Sequence, residues 1–343
     1  NIDIKDCYSA PFTNLLDAST QKNLHRLKFP AKHSLLVLQD AGTTGLDGDL
    51  SPNLNSKFEK LVYTLGDGKK ETGLGGSHGL GSTIFYKMGA GFVAYYSRVK
   101  NSKGHLESRF AIACIEPKEK PNITKSKNGV AWWGTNNSSG DSSPVTDPKS
   151  VKLIIEGLLG KDPYGENETG TTIIIPFFRK KEILGNEKAE IPAWERNVPD
   201  AIRMAIQRWY GNRLTESKQL PTLKIAINGK TLAQENIRPV FHELQKLKDL
   251  IHSSRKKLSN TCLRYIRDIN GEWCESPTEE SEPSGFLKAI KLNNTFKNSA
   301  PAGWLAVCKL NRKDLKLGPP NYNGVPHDFI FGRCDKDAKR PVI

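Results

Sequence analysis

Two glycine-rich segments contain the residues best suited to chemistry. The first, LQDAGTTGLDG, spans residues 38–48 and includes Asp40, and the second, GLGGSHGLGSTIF, spans residues 73–85. Glycine lets main-chain N–H groups approach a phosphate closely, and a helix that follows adds its positive N-terminus. A carboxylate at the end of an apolar strand can accept a hydrogen bond from an exocyclic amine. These features make the two segments candidates for cradling a nucleotide.

Two common nucleotide-binding motifs do not fit the second segment. A P-loop would align with residues 76–83, but Ser82 stands where the phosphate-binding lysine is required, and no strand pattern precedes it. The dinucleotide fingerprint G-x-G-x-x-G fails because its third glycine is replaced by His78 in one register and by Ile84 in the other. A simple surface loop remains the alternative for this segment.

Four short motifs follow one another in order: NLLDA at 14–18, DAGTTG at 40–45, GGSHGLGS at 75–82 and GTTIIIP at 170–176. They resemble the GHKL ATPase family (gyrase, MutL, MORC proteins, histidine kinases and the heat-shock chaperone). That family has an Asn-x-x-Asp-Ala helix, an Asp-x-Gly-x-Gly turn, a glycine-rich lid and a threonine on a strand. The resemblance covers residues 6–178 and is nearest to bacterial MutL/MORC-like ATPases, some of which are associated with restriction or phage defence.

The resemblance implies an ATP site that also holds Mg²⁺. Asn14 would complete the magnesium shell, with Asp17 on the same helix face, and Asp40 would select adenine. Either Thr171 or Thr172 would add a hydroxyl beside the base. The implied ATP ligands are Asn14, Asp17, Asp40, Gly42, Gly45, Gly76, Ser77, His78, Gly79, Leu80, Gly81, Ser82 and Thr172. The alternatives are solvated helix residues at 14 and 17, a plain turn at 40, and threonines placed by strand propensity.

One position departs from the family pattern. Many relatives carry a catalytic glutamate four residues before the asparagine, and here that position is Ala10. Alanine can neither accept a proton nor orient water. Either hydrolysis is slow, or another carboxylate serves, or a glutamate has been changed to alanine so that ATP is trapped. The first turn also carries an additional residue, Thr44, between the expected glycines.

The hydrophobic patterns predict an α+β fold, a two-layer sandwich with helices on one face of a mixed sheet. We expect a buried strand over 33–40, a β-hairpin from 92–100 and 109–116, and a strand over 170–178. The expected helices of this half cover 6–25, the residues after 82, and 151–159, and a long loop is expected over 120–150.

The chain of 343 residues exceeds one ordinary core and predicts two domains. The first, residues 1–185, is the GHKL-type ATP-binding domain. The second, residues 190–343, is a smaller transducer-like α/β domain, and the chain reads as a fragment of something longer. In this half we expect a helix over 200–214, a strand near 222–229, a basic helical stretch over 240–269 and a strand over 303–310.

The composition is equally compatible with a nucleic-acid partner and with a basic but unspecialised surface. Lysine and arginine total 51 against 37 acidic residues, a formal charge of +14, and such an excess suits a polyanion such as DNA. The six cysteines and seven histidines show no metal-ligand spacing, so no structural metal is expected. Without a charged-then-apolar leader or a run long enough to cross a bilayer, we expect a cytoplasmic protein with no membrane partner.

The resemblance therefore implies an ATPase in which ATP and Mg²⁺ close a lid near residues 66–82 and drive homodimerisation, coupled to DNA and open to further protein subunits. Two alternatives remain. One is a chaperone-like clamp that acts on proteins, and the other is an ATP-sensing scaffold that does not hydrolyse ATP, as Ala10 would allow.

Overall fold

The computed structural model describes residues 1–50, 56–64, 83–116, 123–136, 142–180, 197–214, 222–232, 236–237 and 241, together with the strands at 265–267, 273–274, 287–292 and 303–308. The chain divides into two compact units. Unit 1 comprises Asn1–Gly185 and Ala226–Lys230, and unit 2 comprises Asn186–Ile225 and Thr231–Ile343.

Unit 1 alternates short helices with longer strands. In chain order its elements are β1 (Ile2–Tyr8), α1 (Ala10–Thr13), α2 (Ala18–Arg26), β2 (Lys32–Gln39), α3 (Lys57–Val62), α4 (Thr83–Met88), β3 (Phe92–Lys100), β4 (Leu106–Ile115), β5 (Val130–Trp133), β6 (Thr135–Asn136), β7 (Ser142–Ser143), α5 (Pro148–Leu159) and β8 (Gly170–Ile175). The predicted strands over 33–40 and 170–178, the 92–116 hairpin and the helices after 82 and over 151–159 are confirmed.

The main sheet is mixed, as predicted. In the described residues it has eight strands in the order β10-β9-β1-β2-β8-β3-β4-β5, where β9 (Ile225–Ile227) and β10 (Lys230–Leu232) form an edge hairpin. The pairs from β1 to β5 are antiparallel, whereas Ile2 in β1 pairs in parallel with Ile227 in β9. The small strands β6 and β7 pair separately.

Helices cover both faces of this sheet, so the prediction of helices on one face is wrong. Phe92 and Val93 are both 0% exposed although their side chains lie on opposite faces. On the first face α1, α2 and α5 contribute to the core, and on the second α3 and α4 do, through Phe58, Val62 and Tyr86. The reason is the nearly continuous apolar pattern of β3 and β4, which needs cover on both sides.

The predicted helix over 6–25 is also wrong in its bounds. Residues 2–8 form β1, and the helical part is split into α1 and α2. Asp17 has extended φ/ψ angles of −66° and 156°, and its side chain accepts the N–H of Thr20 at 3.0 Å. This is an N-cap arrangement, which starts a new helix at Ala18 instead of continuing the first.

The predicted loop over 120–150 contains an additional strand. β5 pairs with β4, with Trp133 opposite Ile112 and Trp132 opposite Ala113. The indole N–H of Trp132 donates to the carbonyl of Val62 at 3.0 Å. Polar and turn residues dominate the surrounding sequence and hide this four-residue pairing segment.

Unit 2 is described in part. The predicted helix is confirmed as α6 (Val198–Tyr210), capped by Asn197, and a 3₁₀ turn follows at Gly211–Arg213. A four-stranded antiparallel sheet has the order β12-β11-β13-β14, built from β11 (Tyr265–Arg267), β12 (Trp273–Cys274), β13 (Leu287–Leu292) and β14 (Gly303–Cys308). Residues 265–267 of the predicted basic helical stretch form the strand β11, so that part of the helix prediction is wrong. Apart from Phe241, the rest of the stretch lies outside the described residues.

Within the part of the chain that the structure describes, no helix combines the length and apolar character needed to cross a bilayer.

Candidate functional site

Asp40 lies where β2 ends beside the start of β8. Its backbone N–H donates to the carbonyl of Thr171 at 2.9 Å. The N–H of Thr171 in turn donates to Oδ1 of the Asp40 carboxylate at 2.8 Å. Both the main chain and the side chain of Asp40 are therefore attached to the same residue of the neighbouring strand.

The two oxygens of the Asp40 carboxylate differ. Oδ1 accepts a second hydrogen bond, from the hydroxyl of Thr43 at 2.7 Å. Among the described residues nothing donates to Oδ2, and Asp40 is exposed. A carboxylate has acceptor capacity on both oxygens. One oxygen is thus fixed by the protein while the other is available to a ligand.

The predicted ligands Gly42 and Gly45 have different surroundings. Both have positive φ, of +70° and +65°, which favours glycine. A Cβ on Gly42 would meet no atom of the described residues within 4 Å, so within that part of the chain the space beside it is open. A Cβ on Gly45 would lie 2.8 Å from the Arg98 carbonyl oxygen, 2.8 Å from Ser97 Oγ and 2.9 Å from the Gly170 carbonyl oxygen. Packing within the protein therefore explains Gly45, and Gly42 borders free space.

The residues that hold this loop were not predicted from the sequence. Leu46 donates its N–H to Ser97 Oγ at 2.8 Å and accepts a hydrogen bond from Arg109 at 3.0 Å. The Arg109 side chain is 1% exposed and forms an ion pair with Glu107 at 2.7 Å. Two sequence features could have indicated these residues. Arg109 is a single charge next to the apolar run FAIACI, and Ser97 is a single polar residue after FVAYY.

Gly170 is a further site residue, although the sequence indicates it only as a strand boundary. A Cβ there would collide with the Asp40 carbonyl oxygen and lie 2.8 Å from Cε1 of Tyr164. The Gly170 carbonyl also accepts a hydrogen bond from Ser97 Oγ at 2.9 Å. The close approach of β8 to Asp40 therefore requires glycine at this position.

The two candidate threonines are both buried, at 8% exposure for Thr171 and 0% for Thr172, but they differ in their hydrogen bonds. Thr172 is 0% exposed, and its hydroxyl is 2.8 Å from the hydroxyl of Tyr164. Burial raises the pKa of Tyr164, so this pair stays uncharged. The hydroxyl of Thr171 makes no hydrogen bond among the described residues, and its N–H contacts Asp40 directly. Thr172 is thus a buried structural residue in this arrangement.

A turn at 162–166 lies against the same end of the sheet. Arg98 donates to the carbonyls of Gly165 at 3.0 Å and Glu166 at 2.6 Å, and lies 3.8 Å from the Asp162 carboxylate. Asp162 accepts the N–H of Tyr164 at 3.0 Å. These contacts hold Tyr164 in place beneath Gly170 and Thr172.

The predicted pair Asn14 and Asp17 does not share a helix face, which corrects the expectation. Asn14 ends α1, is exposed, and its side-chain amide makes no hydrogen bond among the described residues. Asp17 is the N-cap of α2 and also accepts the indole N–H of Trp133 at 3.0 Å. Partial burial raises the pKa of Asp17, but the hydrogen bonds from Thr20 and Trp133 outweigh it and lower the pKa overall.

α1 and Asp40 lie toward opposite ends of the same strands. Phe12 of α1 packs edge-on against Phe92 at 5.5 Å and Phe177 at 6.1 Å between ring centroids. Those rings lie at the start of β3 and just beyond the end of β8, whereas Asp40 lies beside the first residues of β8. Ala10, at the position of the expected glutamate, is the exposed first residue of α1.

The second predicted glycine segment lies outside the described residues, which resume with α4 at Thr83. Its proposed phosphate ligands are therefore still predictions: Gly76, Ser77, His78, Gly79, Leu80, Gly81 and Ser82.

A cysteine–histidine contact occurs elsewhere in the sheet. Sγ of Cys7 is 3.6 Å from Nε2 of His33, and the ring of His33 stacks on Phe177 at 4.3 Å. Burial raises the pKa of Cys7 and lowers that of His33, so both groups favour their neutral forms. An uncharged pair of this kind lacks the thiolate that nucleophilic catalysis needs. Among the described side chains, no group of three or more His, Cys, Asp or Glu is arranged to hold a metal ion.

Comparison of the sequence with protein-family models and with curated proteins finds no match.

Proposed function

We propose that unit 1 is a GHKL-type ATP-binding module in which Asp40 recognises adenine. The observation that carries this proposal is the Asp40 carboxylate, whose Oδ1 is fixed by Thr43 and Thr171 while Oδ2 has no donor among the described residues. The open space beside Gly42 adjoins this carboxylate in the chain. A rigid acceptor next to open space is the arrangement that a base-recognition pocket requires.

The chemistry of the carboxylate favours adenine over guanine. Adenine presents an exocyclic amine at C6, which donates a hydrogen bond, whereas guanine presents a carbonyl oxygen there. A carboxylate oxygen attracts the first and repels the second. The hydroxyl of Thr171, which makes no hydrogen bond among the described residues, is the second polar group that would contact the base or a water bound to it.

Magnesium would be held by Asn14 together with the nucleotide. A neutral amide oxygen suits Mg²⁺, but the ion keeps several waters and takes its remaining ligands mainly from phosphates. The exposed amide of Asn14, which makes no hydrogen bond among the described residues, suits this role. The described side chains offer no cluster that could hold the ion without the nucleotide. α1 packs on the first face of the sheet, toward the other end of β3 and β8 from Asp40, whereas Thr171 pairs with Ser97 and lies on the second face. The magnesium role of Asn14 therefore rests on the resemblance and not on proximity to Asp40.

We further propose that ATP closes the lid near residues 66–82 and drives homodimerisation coupled to DNA, in a role such as phage defence or restriction. Hydrolysis is slow in this proposal, because Ala10 supplies no carboxylate at the position of the general base. The same alanine supports the second candidate function, an ATP-sensing scaffold without turnover. A chaperone-like protein clamp is the remaining alternative.

Replacing Asp40 with asparagine tests the proposal by calorimetry with ATP and Mg²⁺. Asparagine still accepts from Thr43 and Thr171 through its oxygen, but it turns an amide N–H₂ toward the adenine amine. We expect ATP affinity to fall by about ten- to a hundredfold, since hydrogen bonds to charged groups contribute about 1.5–3 kcal/mol.

Asp147→Asn is the matched control. Asp147 caps α5 by accepting the N–H of Ser150 at 2.8 Å, and asparagine caps a helix equally well. This variant should bind ATP as the wild type does, and thermal unfolding should show both variants folded. If Asp40→Asn also binds ATP with wild-type affinity, the site has been assigned to the wrong residue.

A further inference from the structure

We infer that Thr43 is a positioning residue that sets the orientation of the Asp40 carboxylate and thereby controls discrimination between ATP and GTP. This inference rests on the proposed function. It assigns a role to a residue within the first glycine segment, DAGTTG, that was not among the predicted ligands.

The hydrogen bonds of the Thr43 hydroxyl determine its direction. Oγ1 accepts the N–H of Gly45 at 3.2 Å, and it lies 2.7 Å from Oδ1 of Asp40. Because an amide N–H can only donate, the oxygen lone pair faces Gly45, and the hydroxyl proton is left for the carboxylate. Thr43 is therefore a donor to Asp40.

The Thr43 main chain is held independently of its side chain. Its carbonyl accepts a hydrogen bond from the hydroxyl of Thr169, which lies just before β8. Gly42 is attached to the same residue, since its N–H donates to the Thr169 carbonyl at 3.0 Å. The loop backbone is thus fixed to β8, and loss of the Thr43 hydroxyl alone should leave the loop in place.

Two donors on one carboxylate oxygen restrict rotation of that carboxylate. With Thr43 and the Thr171 N–H both directed at Oδ1, exchange of the two oxygens would break both bonds. With Thr171 as its only partner among the described residues, the carboxylate can turn about its bond to Cβ. Oδ2 would then no longer be held in one position toward the base. Turning also relieves the repulsion that a guanine carbonyl would meet, so selectivity should fall together with affinity.

The adjacent Thr44 provides a matched control. It is exposed like Thr43, but among the described residues its hydroxyl donates only to the carbonyl of Gly45, at 3.3 Å. Thr44→Val therefore makes the same chemical change one residue away, without touching Asp40.

The experiment measures dissociation constants of Mg²⁺–ATP and Mg²⁺–GTP for the wild type, Thr43→Val, Thr43→Ser, Thr44→Val and Asp40→Asn. We expect Thr43→Val to lower ATP affinity by about three- to tenfold, the range of one hydrogen bond, and to reduce the ATP:GTP preference. Thr43→Ser keeps the hydroxyl and should restore both values to within about twofold, and Thr44→Val should change neither. The ATP:GTP preference ratio is independent of the folded fraction, because partial unfolding lowers the apparent affinity for both nucleotides by the same factor.

The outcomes separate the two proposals. If Asp40→Asn loses ATP binding while Thr43→Val keeps the wild-type ratio, the role of Thr43 is wrong and the adenine site stands. If Thr43→Val and Thr44→Val reduce the ratio equally, the effect belongs to the loop and the inference fails. If Asp40→Asn binds ATP normally, the proposed function itself fails, and the role of Thr43 fails with it. Should Thr43→Val not fold, Thr43→Ala removes the same hydroxyl with less bulk and is judged by the same ratio.

Discussion

The Asp17 carboxylate, for which a ligand role is predicted, accepts three hydrogen bonds from the protein itself. It accepts the N–H of Thr20 at 3.0 Å, the hydroxyl of Thr20 at 2.7 Å and the indole N–H of Trp133 at 3.0 Å. These bonds start α2 and attach it to β5. The structure therefore supports a capping role for Asp17, whereas the Asn14 amide makes no hydrogen bond within the part of the chain that the structure describes.

Asp17→Ala should lower the free energy of unfolding by about 1–2 kcal/mol, because it removes an N-cap together with the contact to Trp133. Asp17→Asn should retain most of the cap and serves as the matched variant. Urea unfolding followed by circular dichroism measures both. Equal midpoints for Asp17→Ala and the wild type would show that the cap is not formed, and a stable Asp17→Asn variant that fails to bind ATP would restore the ligand role.

The same residue gives a pH dependence with a defined sign. The pKa of Asp17 is lowered in the folded protein from its usual 3.8, so the ionised form is the one that stabilises the fold. Its contribution is complete above the unfolded pKa and is lost as the pH falls from about 3.8 through the folded value. The difference in stability between the wild type and Asp17→Asn should therefore shrink across that window in the same urea experiment.

At the scale of elements, the loop after β2 is held by its neighbours more than by its own turns. Arg109 from β4, Ser97 from β3 and the first residues of β8 all bond to the loop backbone or to its side chains. A buried arginine that donates to a loop carbonyl is costly to remove, since its partners would be left unpaired. The loop that presents Asp40 is thus rigid because three strands meet beneath it.

Two glycine substitutions test this packing. Gly45→Ala should destabilise the protein by about 3 kcal/mol, because a left-handed φ costs about 1–2 kcal/mol and overpacking adds about 1–3 kcal/mol. Gly42→Ala has nearly the same φ but open space, so only the backbone cost of about 1–2 kcal/mol applies. Thermal and urea unfolding measure the pair. A Gly42→Ala variant as unstable as Gly45→Ala would contradict the open space beside Gly42.

For the whole molecule, the formal charge of +14 is the property with the clearest consequence. A polyanion that binds such a surface releases counterions, so its affinity falls steeply as salt is raised. The proposed coupling to DNA and the alternative protein clamp differ on this point.

Retention of double-stranded DNA by the full chain, measured with ATP and Mg²⁺ at several salt concentrations, distinguishes the two candidates. The DNA proposal expects affinity to fall by about tenfold or more between about 50 and 200 mM salt, in line with several phosphate contacts. Asp40→Asn provides the control for nucleotide coupling, and its DNA binding should not respond to ATP. Weak, salt-independent retention would reject DNA as the partner and favour the protein clamp.

Local patterns in the chain were enough to predict several of the longer elements, although not β1. The strands β2, β3, β4 and β8 and the helices α5 and α6 follow from apolar runs of the right period between clear boundary residues. The predictions failed at the start of α2, where a local cap was missed, and at β5, where the pairing partner is distant in the chain. Asp17 caps a new helix that starts at Ala18, instead of lying within one continuous helix. β5 forms because it pairs with the edge of β4.

The sequence by itself determined the candidate carboxylate and its glycines, because Asp40, Gly42 and Gly45 lie within six consecutive residues and their chemistry is local. Only the tertiary structure decided which of them face open space and which face protein. It also brought Ser97, Arg109 and Gly170 to the loop. The physical reason is register: adjacent residues on a strand point to opposite faces, and partners 50 to 130 positions apart meet only when the strands pair.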